Sequence, residues 1–161
     1  MSTSPDVGTG VSARPDGFAR IVVPTDFSTC GEAAWATALR AACGFGAELV
    51  LVHVVLDTPR FAEGAGGADL RATLADAQQW AEREVDARVG AARAAGVAAR
   101  SVVRTGVPKR QILDVAAAEG ADLIVIGTHG RGGIERALLG SVADHVIRLA
   151  PCPVLSVRAP E

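Results

Sequence analysis

Gly127 and Gly130, three positions apart, are followed after nine further residues by Gly140 and Ser141, the stretch of this chain best equipped for chemistry. Glycines at the end of a strand let backbone amides approach an anion with no Cβ in the way. A helix that opens near Gly140 adds unpaired N–H groups and the positive end of its dipole. The Ser141 hydroxyl can donate to a phosphate oxygen or cap its own helix, and Arg131 is a nearby cation. Together these groups can cradle a polyphosphate. The pattern is not of the Walker type, because no lysine follows the glycines and Lys109 is the only lysine in the chain. Neutralising a bound anion therefore falls to amides, to Arg131 or to Mg²⁺.

Other reactive side chains have plainer readings beside the chemical ones. Asp26 would repel a triphosphate, so its useful place is on ribose hydroxyls or a metal, or else it caps a helix. His53 lies inside an apolar strand and reads as a hydrogen-bonded core residue. His129, between two motif glycines, is better placed for solvent or phosphate. Asp144 and His145 read as a solvated helix face, Cys30 and Cys43 as small helix-packing residues, and Trp35 and Trp80 as core covers on separate helices. No nucleophile–base pair and no acidic metal cluster stands out, so no catalytic residue is assigned and metal ligands stay open.

These groups must be positioned by an alternation of strands and helices. Ile21–Val23, Leu49–Leu56, Val97–Val103, Leu123–Ile126 and Pro153–Val157 are short apolar runs, continuous rather than alternating, as in strands buried on both faces. Between them lie helical patterns. One is capped by Ser28 and closed by Gly44 or Gly46. A long one carries Leu70, Leu74, Ala77, Ala81, Val85 and Val89 and ends before Gly96. A short one starts at Pro108, and the last runs to about Arg148. Such alternation implies a parallel sheet with right-handed crossovers, and ligands then bind beyond the carboxyl ends of the strands. Residues 1–17 read as a disordered lead-in, 18–158 as one domain, 57–68 as the longest internal loop and 159–161 as a tail.

Composition agrees with one α/β domain. The chain has 161 residues, 49% hydrophobic and 21% charged, enough apolar content for a real core. A net charge of −2 gives no basic field for nucleic acid or anionic lipid, and 4% aromatics with no tyrosine offers no stacking platform for single strands. Three cysteines without close spacing speak against a disulfide framework or zinc knuckle. No apolar run reaches the roughly 18 residues of a membrane span and the first residues lack a signal core, so the expected location is cytoplasmic.

With IVVPTDFS at the first strand, LVLVHVV at the second and GVPKRQILDVAAAEGADLIVIGTHGRGG through LLGSVADHVIRLAPCPVLSVR at the end, the sequence resembles the universal stress protein family over nearly all of residues 19–158. Gly127, Gly130, Gly140 and Ser141 meet the G-x2-G-x9-G-[ST] signature of its ATP-binding branch. The resemblance implies a Rossmann-like, adenine nucleotide α-hydrolase-like fold: a five-stranded parallel sheet of order 3-2-1-4-5 with helices on both faces. It implies that Pro24, Thr25 and Asp26 lie near adenine and ribose, that Val54 gives a backbone contact to adenine, and that Ile126 and Gly127 wall the ribose side. Gly130, Gly140, Ser141 and Val142 would meet the phosphates of ATP, with Mg²⁺. It also suggests a homodimer through the fifth strand, which is an apolar sheet edge.

The expected function is thus a nucleotide-binding stress-response or regulatory module with slow or no ATP hydrolysis, at most a slow Mg-dependent ATPase. Two alternatives stand beside it. One is an enzyme using the same fold for nucleotide hydrolysis or transfer. The other is a structural dimer that binds no nucleotide, against which the intact glycine frame speaks.

Overall fold

The computed structural model describes residues 17–56, 67–129 and 139–159, with backbone alone for 67–70. Residues 1–16, 57–66, 130–138 and 160–161 lie outside the described residues, and with them most of the lead-in, most of the internal loop, Gly130 and Arg131.

Five strands and four helices alternate. They are β1 (Arg20–Thr25), α1 (Thr29–Phe45), β2 (Glu48–Leu56), α2 (Gly67–Ala94), β3 (Ala99–Gly106), α3 (Pro108–Ala118), β4 (Leu123–Gly127), α4 (Ser141–Leu149) and β5 (Val154–Val157). The strands form one sheet in the order β3-β2-β1-β4-β5, and every pairing is parallel. The chain order reverses direction between β1 and β4, the switch point at which such sheets open a crevice.

The continuous apolar runs do what burial on both faces demands. Ile21, Val23, Leu49 and Leu51 point to one face, packed under Ala34, Trp35 and Ala38 of α1 and Val85 and Val89 of α2. Val22, Val50, Val52 and Ile124 point to the other, under Ile112 and Val115 of α3 and Ala143 and Val146 of α4. Alternate residues of each strand thus feed two separate cores.

The boundaries that differ from the sequence reading have local causes. The loop expected over 57–68 gives way to α2 at Gly67. β3 begins at Ala99 rather than Val97, because Val97 donates its amide to Ala92 O behind Gly96, whose φ of 84° turns the chain out of α2. β3 then continues to Gly106 because the long β2 offers partners as far as Leu56. Gly46, with φ 67°, is the glycine that ends α1. All three cysteines are free, and Cys43 is exposed, so it does not serve the packing role its helix suggested.

Candidate functional site

The first wall of the crevice is the turn that follows β1. Thr25 Oγ1 accepts from the Phe27 amide (3.0 Å), and Asp26 Oδ1 accepts from the Ser28 amide (3.1 Å) and the Ser28 hydroxyl (2.5 Å). Ser28 Oγ in turn accepts from the Gly31 amide at 3.2 Å and caps α1. Gly31 is glycine for space, since a Cβ there would lie 3.1 Å from both Asp26 Oδ1 and Thr25 Oγ1. Phe27 has a φ of 60°, the one non-glycine residue with a positive φ among the described residues. Its ring contacts explain how that costly conformation persists. It stacks at a tilt on His53 (4.6 Å between centroids), meets Trp80 edge-on (5.0 Å), and carries the Arg88 guanidinium over its face (4.8 Å). Arg88 is itself held by Glu32 and Glu84, at 2.7 and 2.9 Å. His53 is hydrogen-bonded as expected, with Nδ1 2.8 Å from the Thr25 carbonyl, but it is half-buried and lines the crevice rather than lying in the core.

The second wall follows β4. Thr128, a buried threonine, donates its amide to Val157 O at 2.9 Å, and its hydroxyl lies 2.9 Å from His129 Nδ1. His129 Nε2 is buried with no hydrogen-bond partner among the described residues. Gly127 is fixed by packing: a Cβ would fall 2.7 Å from the Cys30 carbonyl carbon, so only glycine lets β4 end against α1. Gly140 is a different case from the one its motif position suggests. Its φ is −62°, so no left-handed turn requires glycine, and its amide already donates to Thr128 O at 2.8 Å. A Cβ at 140 would sit 3.0 Å from that same carbonyl.

What Gly140 gives the site is therefore the lack of a side-chain cap. As the N-cap of α4 it makes no side-chain hydrogen bond, unlike Ser28 on α1. The first intrahelical bond runs from the Asp144 amide to Gly140 O, so the amides of Ser141, Val142 and Ala143 precede the helical ladder. Those three N–H groups, with the positive end of the helix, are suited to an anion.

Between the two walls lies a cavity of about 740 Å³. Pro24, Thr25, Asp26, Val54, Ile126, Gly127, Gly140, Ser141 and Val142, all singled out in the sequence, line it together. Gly130 and Arg131 lie outside the described residues. The cavity also takes in residues that sequence reading passed over: Thr128 on the polar side, and Ala77, Trp80, Pro108 and Ile112 on the apolar side. Trp80 is thus a cavity wall rather than a core cover, while Trp35 is buried as expected. The signal was there in α2, where Trp80 is a large apolar residue among Gln78, Gln79, Glu82 and Arg83. Among the described residues no group of three His, Cys, Asp or Glu side chains could hold a metal ion.

A doubly wound parallel sheet with a crevice at its switch point defines a class of α/β proteins. The model of the universal stress protein family matches residues 17–158, and the chain belongs to that family. It is 38% identical to universal stress protein MJ0531 of Methanocaldococcus jannaschii, over 89% of this chain and 84% of that protein. Its fold is similar to that of universal stress protein UspA from Lactobacillus plantarum, with a TM-score of 0.78, 28% identity, and coverage of 89% of this chain and 100% of that one. It is also similar to a universal stress protein solved in complex with cAMP, with a TM-score of 0.61, 27% identity, and coverage of 89% and 99%. No helix among the described residues is long and apolar enough to cross a membrane.

Proposed function

We propose that the protein binds an adenine nucleotide, ATP with Mg²⁺ foremost, in the crevice between β1 and β4, and acts as a cytoplasmic stress-response module rather than a dedicated enzyme. One observation carries this reading: a single cavity is lined both by Val54, near the end of β2, and by the uncapped first turn of α4. The base and ribose take the end near Pro24, Thr25, Asp26, Val54 and Ile126, with the Asp26 carboxylate on ribose hydroxyls. The phosphates take the amides of Ser141, Val142 and Ala143 and the Ser141 hydroxyl, with Gly130 and Arg131 as further contacts. The relative solved with cAMP lends support, since it carries an adenine nucleotide on a similar fold. No nucleophile–base pair stands out in the sequence, so turnover is expected to be slow and Mg²⁺-dependent.

The test is to denature freshly purified protein, identify any released nucleotide by chromatography and mass spectrometry, and titrate the emptied protein with ATP, AMP and cAMP by calorimetry. Retained or rebound adenine nucleotide with turnover below about one per minute supports the module. Faster turnover favours the enzyme, and no binding of any of the three leaves the structural dimer.

The dimer itself is proposed through β5, an edge strand with one neighbour in the sheet. Its exposed Leu155 and the exposed Ile147 and Leu149 of α4 offer apolar surface at this edge. Val154 packs on the α3–α4 core, so Leu155 is the residue to change. Leu155→Asp is expected to shift the protein to monomer in sedimentation, and an unchanged dimer would move the interface elsewhere.

A further inference from the structure

We infer that Trp80 sets base specificity in the cavity, presenting its indole to the ring of the bound nucleotide; this rests on the nucleotide reading above. α2 buries Ala81, Val85, Val89 and Ala92 against the sheet, and Trp80 stands one position off that stripe. It is 39% exposed, an unusual state for so large an apolar side chain unless something covers it. It is nonetheless held in place. Its ring meets Phe27 at 77° and 5.0 Å, and Phe27 is pinned in turn by His53 and by Arg88. Trp80 therefore offers a pre-positioned aromatic surface within the cavity that Val54, Leu56 and Ala77 also line.

Val54, Leu56 and Ala77 carry no charge; the Asp26 carboxylate, placed above on the ribose hydroxyls, belongs to the same turn as Phe27, and the phosphate-binding amides belong to the first turn of α4. A planar heteroaromatic ring gains from such a surface by stacking and by burial, and a bicyclic purine gains more than a pyrimidine because it covers more of the indole. The tripolyphosphate part of the ligand has no business with Trp80. The residue should therefore tune which base is held and leave anion capture alone.

The experiment is calorimetric titration of ATP, CTP and inorganic tripolyphosphate into the wild-type protein, Trp80→Ala and Trp80→Phe, with tryptophan emission followed in parallel. Trp35 is buried in the core, so a ligand-dependent change in emission reports Trp80. Expected are a shift of emission on adding ATP to the wild-type protein, a loss of about 5- to 150-fold in ATP affinity in Trp80→Ala, and a narrowed preference for ATP over CTP. Tripolyphosphate affinity should stay unchanged, and Trp80→Phe should recover most of the ATP affinity. Wild-type ATP affinity in Trp80→Ala, or equal losses for ATP and tripolyphosphate, overturns the inference and leaves the nucleotide reading in place. If the alanine variant does not fold, the inference is overturned by wild-type emission unmoved at saturating ATP, or by a phenylalanine variant as weak as nonspecific binding. A wild-type protein that binds no adenine nucleotide overturns the reading, and the inference with it.

Discussion

The two ends of this one sheet solve opposite problems. At the amino end, Arg20, Glu48, Arg100 and Glu119 form a chain of ion pairs across β1, β2, β3 and the end of α3. Arg20 reaches Glu48 at 3.0 Å, Arg100 reaches Glu48 at 2.9 Å, and Arg100 grips Glu119 through two hydrogen bonds. Asp122 closes the row by accepting the Ala19 and Arg20 amides, both at 3.0 Å. At the carboxyl end the side chains bond mostly within the turns after β1 and β4, with His53 on the Thr25 carbonyl and Ser28 reaching the His129 carbonyl, but the first turn of α4 has no side-chain cap and a cavity of about 740 Å³ opens beside it. The densest charge in the described structure therefore lies where no ligand is proposed. Charges that satisfy one another leave nothing for a guest, whereas backbone donors that precede a helix's own ladder do.

The largest effect that would break this contrast is at Gly127. Gly127→Val puts Cβ into the Cys30 carbonyl group, a backbone contact that cannot yield by a rotamer change. A cost of about 3 kcal/mol is expected, read as an early thermal or urea transition. Full stability would mean that β4 and α1 part easily and that the crevice is not rigid. Next comes Ser141, where two variants separate the amide from the hydroxyl. Gly140 has φ −62° and ψ 147°, the extended geometry favoured before proline, and position 141 is the first of α4. Ser141→Pro should therefore keep the fold while removing both donors. Each charge-assisted bond is worth about 1.5–3 kcal/mol, or roughly 10- to 150-fold in affinity. Ser141→Ala should lose one such factor for ATP and Ser141→Pro two. Equal losses would remove the amide from the phosphate site.

The sheet was readable because burial on both faces erases polar residues from a strand, as in Ile21–Val23 and Leu49–Val52. β3 was harder to bound, since it lies at the sheet edge and carries Arg100, Ser101 and Arg104. Its limits are set by the length of β2, a partner in space that local sequence does not name. At the site, the glycine pattern and Thr25-Asp26 located both walls. Why Gly140 is glycine was not legible, because close approach of an anion and close approach of Thr128 O both exclude a Cβ. Trp80 was missed for another reason: helical periodicity says which face of α2 is buried, not which cavity its margin borders. The strain at Phe27 had no sequence signal at all, since it depends on rings from β2 and α2 meeting over the turn.

The smallest expected effect belongs to the closed end and should leave the open end untouched. Burial works to raise the Glu48 carboxyl, but Arg20 and Arg100 outweigh it and hold the group below its ordinary value of 4.5. Hydrogen bonding to Arg100 does the same for Glu119 against a smaller opposing effect of burial. A carboxylate whose folded pKa is lowered contributes its full stability above the unfolded value and loses it as the pH falls through the folded one. The wild-type protein should therefore weaken below about pH 4.5, as the unfolded state takes up protons on these groups at a higher pH than the folded state does. Glu48→Gln removes one of these groups. The side chains in the pairs are 30–40% exposed at Arg20 and Glu48, so solvent screens them and the expected loss near neutral pH is only about 1 kcal/mol. The variant's stability should then decline less steeply through the acid range, and ATP affinity at neutral pH should match the wild type. An acid limb parallel to that of the wild-type protein would show that the network contributes nothing linked to protons. A change in ATP affinity would show that the two ends of the sheet are coupled, which their separate side-chain networks argue against.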